Sequence, residues 1–112
     1  MELKITNKSK IDIVIGYSKK ITLRFSEDEI VAVNKVFFVC KALDICVEMQ
    51  KENNDFVTVI DYTTTSLFTP IITYYNFNIE YNEASLKGGY NAGELEVFEN
   101  KNPTTCNSNV EV

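Results

Sequence analysis

Histidine is absent from the 112 residues of this chain, and its absence narrows the chemistry available to the protein. Histidine is the most versatile general base and metal ligand in proteins, because its pKa lies near neutral pH. Ser-His-Asp and Cys-His catalytic sets and the HExxH zinc motif are therefore excluded. We expect the chain not to be an enzyme and to contain no catalytic residues.

Cysteine is also scarce, and its three copies are not spaced as metal ligands. Cys40, Cys46 and Cys106 form no CxxC pair, so we expect no metal and no cofactor. An odd number of cysteines is unlike a secreted disulfide framework, which favours reduced, partly buried thiols and an intracellular origin.

Long apolar runs are missing as well. The first residues contain no run of signal-peptide length, and no segment approaches the roughly 20 apolar residues that a membrane span needs. We therefore expect that the protein is not secreted by means of a signal peptide and that it has no membrane partner.

Positive charge is sparse and unevenly distributed. The chain has a net charge of −5, to which residues 1–25 contribute +4 and the remaining residues −9. The negative net charge disfavours nucleic-acid binding, because such binding requires a clustered positive surface. The uneven charge fits basic strands beside acidic ones in one molecule, or a basic face that docks on an acidic face of another. Lys19, Lys20 and Arg24 are the candidate cationic contact residues.

The clearest pattern in the chain is the alternation of apolar and polar residues. Residues 43–50 alternate, a polar turn follows at 51–55, and the next strand has Phe56, Thr58, Ile60 and Tyr62 at every second position. Alternation predicts half-buried strands, and two such runs around a polar turn predict a β-hairpin. The same pattern predicts strands around 3–5, 11–15, 21–25, 73–81 and 94–99.

These strands predict a mainly β protein, an antiparallel β-sandwich-like domain. A chain of roughly 100 residues can bury a substantial core. We assign residues 1–100 to a single β-rich domain and residues 101–112 to a polar C-terminal tail, which lacks the apolar pattern that would offset its ordering entropy.

The segment 26–42 supports two interpretations. Ser26 and Glu29 form a capping-box pattern, which predicts a helix that begins near Glu27. The residues after it are largely β-branched or aromatic, which favours a strand. Several apolar residues nevertheless fall at helical spacing, namely Val33, Val36, Phe37, Cys40 and Leu43. We therefore predict an extended segment at 29–33 and a short helix near 34–42.

Two further segments are predicted to be irregular. Residues 63–70 are polar and β-branched and end in Pro70, which predicts a connecting loop or a sheet edge. Residues 87–93 contain three glycines, which predicts a flexible loop. A phosphate-binding role for this loop is disfavoured, because it has no strand-to-helix context and no following lysine.

Tyr74, Glu94 and Glu96 complete the candidate interaction residues. Tyr74 could stack on a sugar from an exposed strand face, although core or interface packing explains the aromatic residues of this strand better. Glu94 and Glu96 share one strand face and could form a carboxylate pair, but we interpret them as a solvated face.

Three short stretches resemble the opening of small β-sandwich accessory proteins of tailed bacteriophage particles. They are Leu3-Lys4-Ile5-Thr6-Asn7-Lys8-Ser9, Ile13-Val14-Ile15-Gly16-Tyr17 and Ile21-Thr22-Leu23-Arg24-Phe25-Ser26-Glu27. The resemblance covers about a quarter of the chain. It implies an accessory capsid or virion protein that binds a particle surface through sheet edges and extended termini.

We therefore expect a non-enzymatic structural or assembly protein with protein partners, as part of a larger assembly or a homo-oligomer. It would be located in the virion or in the cytoplasm of an infected cell. The alternative is a small acidic inhibitor that binds a host or defence protein and mimics nucleic acid with its acidic strand faces. Carbohydrate binding through Tyr74 is a third hypothesis.

Overall fold

Strands account for most of the computed structural model, which describes residues 10–83 and 87–101. The mainly β class is confirmed. The described residues form these elements in chain order: β1 (Ile11–Val14), β2 (Lys19–Arg24), α1 (Glu27–Ile30), β3 (Val33–Cys40), a 3-10 turn (Lys41–Leu43), β4 (Ile45–Glu48), β5 (Gln50–Glu52), β6 (Asp55–Ile60), α2 (Tyr62–Thr65), β7 (Ile71–Tyr81) and β8 (Lys87–Phe98).

The strands form two sheets around one shared core. The larger sheet has the order β1-β8-β7-β3-β4, and the smaller has the order β2-β6-β5. Neighbouring strands are antiparallel except β1 and β8, which are parallel. The inner faces of both sheets contribute to the same apolar cluster, which includes Ile13, Leu23, Val36, Phe38, Met49, Phe56, Ile60, Phe77, Ile79 and Leu95.

Alternation correctly predicts the buried faces of three strands. The buried residues described in these strands fall at every second position, and the residues between them are more exposed. The buried members are Ile21 and Leu23 in β2, Tyr75, Phe77 and Ile79 in β7, and Leu95 and Val97 in β8.

The predicted hairpin is present, but its first strand belongs to two sheets. β4 pairs with β3 in the larger sheet, and β5 pairs with β6 in the smaller one. Between them Met49 donates its backbone N–H to the carbonyl of Val36 at 2.8 Å, and the next residue pairs with Val57. A turn at residues 53–54, with Asn53 at φ 56°, connects β5 to β6.

The helix expected near 34–42 is wrong, because β3 is a strand. The register of β3 against β7 shifts between Val33 and Lys35, which places an extra residue in the strand. Val33 and Val36 are therefore both buried although they are three positions apart, which imitates helical spacing. The capping box of Ser26 and Glu29 is formed, but it starts the one-turn helix α1.

The loop expected at 87–93 is also wrong, because β8 pairs with β7 from Lys87 onward. A methyl group at Gly88 would lie 3.3 Å from the ring of Tyr81, so glycine permits close contact between the strands. The register shifts opposite Tyr75 and Asn76, and Gly93 there has a φ of 146°, which favours glycine.

The third correction concerns the segment after β6. Residues 62–65 form one helical turn, and Tyr62, expected on the buried side of the hairpin, is exposed. Asp61 caps the turn by accepting a hydrogen bond from the Thr64 N–H at 3.0 Å, which offsets the poor helix propensity of the threonines. Thr65 is fully buried, where its hydroxyl accepts from the Gly16 N–H at 3.1 Å and donates to the Tyr17 carbonyl at 3.0 Å.

Some predictions fall outside the described residues. They are the strand around Leu3 and Ile5, the tail after residue 101 and the state of Cys106. The assignment of 1–100 and 101–112 to a domain and a tail stays a prediction.

Met49→Ala tests whether the side chain at the junction of β4 and β5 stabilises the shared core. The substitution should lower the free energy of unfolding by about 2–5 kcal/mol, because it leaves a cavity where both sheets meet. Gln50→Ala is the matched control, since the adjacent side chain is exposed and its truncation should change stability by less than about 0.5 kcal/mol. Chemical denaturation measures both, and equal losses would contradict the placement of Met49.

Candidate functional site: the outer patch of the larger sheet

An exposed apolar cluster lies on the outward face of β7 and β8. Ile72, Tyr74 and Phe98 are 61%, 65% and 36% exposed, respectively. Ile72 lies opposite Glu96 and Tyr74 opposite Glu94 in the register of the two strands. We call these five residues the outer patch: Ile72, Tyr74, Glu94, Glu96 and Phe98.

The strand geometry makes these five side chains neighbours. Directly opposed residues of an antiparallel pair have Cβ atoms about 4.5–5.5 Å apart, and residues two apart on one strand share a face. β7 and β8 pair with each other beneath the patch, and Glu96 and Phe98 also pair with β1, whereas the pairing of β7 with β3 spans residues 76–81 of β7 and does not reach Ile72 or Tyr74. A contiguous apolar cluster with a charged rim is typical of a binding surface, whereas a single exposed apolar residue is not.

Lys10 binds the acidic rim at one end of the outer patch. Its Nζ lies 2.6 Å from Oε1 of Glu96, 3.7 Å from a carboxylate oxygen of Asp12 and 5.4 Å from the centre of the Phe98 ring. The hydrogen bond to Glu96 raises the pKa of Lys10, with smaller contributions from the charges of Glu96, Asp12 and Glu94. Burial acts in the opposite direction on this pKa but is outweighed.

The outer patch and its surroundings are acidic. Asp12 lies opposite Glu96 in the pairing of β1 with β8, so three carboxylates surround one lysine. Among the described residues no hydrogen bond or ion pair engages Glu94. A negative field of this kind attracts positively charged groups on a partner.

The cationic candidates lie elsewhere, on β2 of the smaller sheet. Lys20 and Arg24 are exposed on its outward side, and Lys19 is half-buried. Arg24 contacts Asp55 of the neighbouring strand at 3.2 Å, but the arginine side chain is 80% exposed and such a pair contributes little to stability. The two sheets share a core through their inner faces, so Lys20 and Arg24 face in the opposite direction from the outer patch, whereas Lys19 lies on the same side of β2 as buried Ile21.

The structure therefore unites only some of the predicted interaction residues. Tyr74, Glu94 and Glu96 are brought together in the outer patch, whereas Lys20 and Arg24 lie on the outward face of β2 and Lys19 is half-buried on its other face. Sequence reasoning missed Ile72 and Phe98. The signal was present, because Ile72 precedes Tyr74 by two positions and Phe98 follows Glu96 by two.

Other acidic and cysteine side chains of the described residues occupy structural positions. Glu27, Asp28 and Glu29 form the first turn of α1. Cys40 is buried, lies 3.6 Å from the Tyr74 carbonyl and has a pKa raised by that burial, while Cys46 is exposed; both are free thiols. Within the ranges 10–83 and 87–101, no group of three or more Cys, Asp or Glu side chains could hold a metal ion.

None of the helices in the described part of the chain is long and apolar enough to cross a membrane. Comparison of the chain with protein-family models, with curated proteins and with solved structures finds no match.

The charges around Lys10 can be tested by titration. Glu96→Gln should lower the pKa of Lys10 toward its ordinary value, because it removes the main cause of the shift. Glu94→Gln is the matched control and should lower it less, since Glu94 contributes least. The contact with Glu96 raises the pKa of Lys10 only in the folded state. It therefore stabilises the fold fully at pH values below the ordinary lysine pKa, and this stabilisation is lost as the pH rises through the raised pKa of the folded state. NMR titration of the Lys10 side chain measures both variants, and equal shifts would contradict the geometry.

Proposed function

We propose that this chain is a non-enzymatic protein-binding component of a larger assembly and that the outer patch is its docking surface. The observation that carries the proposal is the contiguous exposure of Ile72, Tyr74 and Phe98 within an acidic rim. No residue of the proposed mechanism makes or breaks a covalent bond.

The composition of the outer patch suits a protein partner. Aromatic residues supply large contact areas, and the Tyr hydroxyl can keep a hydrogen bond at the rim of an interface. β7 and β8 pair with each other beneath the patch, so little backbone freedom would be lost on binding. Glu94 and Asp12 would accelerate and orient the encounter with a positively charged partner.

The partner surface that fits is therefore apolar at its centre and carries Lys or Arg at its rim. The apolar centre would cover Ile72, Tyr74 and Phe98, and a cationic group would meet Glu94. Of the two surfaces, the outer patch is the stronger candidate, because Arg24 is already paired with Asp55. Lys19 and Lys20 would form a secondary contact with acidic groups of the assembly.

An accessory virion protein of a tailed bacteriophage is the specific form of this proposal. Its support is the sequence resemblance over residues 3–27, in which the strand, turn and strand order corresponds to β1, the turn at Gly16 and β2. Such a protein would act in the virion or in the cytoplasm of an infected cell.

The acidic rim favours a second candidate, an inhibitor that occupies the nucleic-acid site of a host or defence protein. Asp12 and Glu96 lie side by side on adjacent strands and could imitate neighbouring phosphates. The two candidates differ in how a bound partner responds to DNA. Added duplex DNA should displace an inhibitor from its target and should leave an assembly contact intact.

Ile72→Asp tests the outer patch. A buried, unpaired carboxylate at the centre of the interface should raise the dissociation constant for the partner at least about tenfold. Val59→Asp is the matched control, because Val59 is 56% exposed on the outward face of the smaller sheet. Native mass spectrometry of complexes purified with the tagged chain from cells that produce it should show a stoichiometric complex for wild type and Val59→Asp only.

Thermal melting of both variants controls for misfolding, and the two should unfold at similar temperatures. Retention of the complex by Ile72→Asp, or its loss in Val59→Asp alone, would contradict the assignment. Recovery of wild type without any stoichiometric partner would contradict the assembly role itself.

A further inference from the structure

The strand β2 lies at one end of the smaller sheet, where it pairs with β6 alone among the residues that the structure describes. Directly after β2, Phe25 donates its backbone N–H to the carbonyl of Asn54 at 3.0 Å, and these two residues continue the register of β2 with β6. In an antiparallel pair such hydrogen-bonded positions alternate with positions whose N–H and C=O point away from the partner strand. The backbone groups of Lys20 and Thr22 therefore point away from β6, to the free edge of β2.

An apolar cleft of about 170 Å³ runs along this free edge. Five consecutive residues of β2 line it, from Lys19 to Leu23. They include Lys20 and Thr22, whose side chains are exposed on the outward face of the strand, so their backbone accounts for their place in the lining. The larger sheet supplies apolar side chains to the other wall, namely Ile11, Tyr75 and Phe77. The cleft thus combines hydrogen-bonding backbone on one wall with apolar side chains on the other.

The size and charge of the cleft indicate the kind of occupant that fits it. Pockets for whole small-molecule ligands commonly measure about 300–1,000 Å³, so this cleft suits one or two side chains instead. Lys19 is half-buried on the same face of β2 as Ile21. Within the described part of the chain, no ion pair engages the side chain of Lys19 or Lys20. Two such positive charges beside one strand edge favour a negatively charged occupant.

We propose that the free edge of β2 binds an extended acidic segment of a partner protein, which adds a strand to the smaller sheet. The backbone N–H and C=O groups of Lys20 and Thr22 would bind the backbone of the segment, as in other cases of strand addition. Because successive side chains of a strand alternate, every second residue of the segment would be apolar and enter the cleft. The acidic residues between them would face outward, on the side of Lys20.

This site deepens the function proposed above, because it gives the secondary contact of Lys19 and Lys20 a location and a partner chemistry. It rests on the proposed function only in that the partner is a protein. The outer patch lies on the outward face of the larger sheet, whereas the cleft lies between the two sheets along β2. The two sites can therefore be tested separately.

NMR titration of the isolated chain with a model peptide tests the proposal. The probe is a capped heptapeptide of alternating valine and glutamate, and the control peptide has lysine in place of glutamate. The glutamate peptide should bind with a dissociation constant below about 1 mM and shift the amide signals of residues 19–23. The lysine peptide should bind at least about fivefold more weakly, because its charge repels Lys19 and Lys20. Equal binding of the two peptides, or shifts confined to other strands, would overturn the proposal.

Hydrogen exchange of the chain without peptide distinguishes the other occupants of the edge. The amides of Lys20 and Thr22 should exchange rapidly in the chain alone and at least about tenfold more slowly when the glutamate peptide saturates it. Slow exchange of both amides at every dilution would show that the chain covers its own edge. Slow exchange only at high protein concentration would show that a second copy pairs there. Either result would overturn the proposal.

Thr22→Pro removes one backbone donor from the free edge. Since this N–H points away from β6, the pairing of β2 with β6 should survive, and the affinity for the glutamate peptide should fall at least about fivefold. Cys46→Pro is the matched control, because the hydrogen bond from Met49 to Val36 places the Cys46 N–H on the free edge of β4 by the same alternation. Thermal melting verifies that both variants fold. Wild-type affinity in folded Thr22→Pro would overturn the assignment.

Lys19→Gln tests the charge beside the cleft without altering the backbone. The affinity for the glutamate peptide should fall at least about threefold, and its salt dependence should weaken. Lys51→Gln is the matched control, since Lys51 is exposed on β5 at the opposite edge of the same sheet. Equal losses in the two variants would overturn the contact with Lys19. Ile72→Asp should bind the peptide as wild type does, so failure of this site and failure of the outer patch give different results.

Discussion

The hydrogen bond from Met49 to Val36 marks the constraint on which the fold depends. At this residue a single strand leaves β3 and begins to pair with β6, so the two sheets are joined through continuous backbone. Met49 is 2% exposed, and its flexible thioether side chain packs where both inner faces converge. The junction at Met49 therefore fixes the position of one sheet against the other, so that their inner faces share one core.

Two consequences follow from closure on this side. The inner faces of the two sheets supply most of the apolar cluster among the described residues, and the outer face of the larger sheet carries exposed Ile72, Tyr74 and Phe98. On the opposite side, β1 and β2 each pair with one strand only within the described residues, and an apolar cleft lies between them.

Sequence patterns predicted the elements in which alternation is unbroken, such as β7, and failed where the backbone departs from it. The bulge in β3 changed a period of two into an apparent helical spacing of Val33 and Val36. The glycine-rich half of β8 is a strand because it pairs with β7. A local sequence pattern does not show which other segment will lie beside it. For the same reason the sequence could suggest Tyr74 and Glu94 separately, but their opposed positions on β7 and β8, and the contact of Lys10 with Glu96, depend on strand order.

Lys10 shapes the charge of the outer patch. It binds Glu96 at the rim of the patch and approaches Asp12. Of the three carboxylates that raise the pKa of Lys10, Glu94 makes no hydrogen bond or ion pair within the described residues. Because it lies opposite Tyr74, a cationic side chain of a partner would bind beside the most exposed aromatic ring of the outer patch.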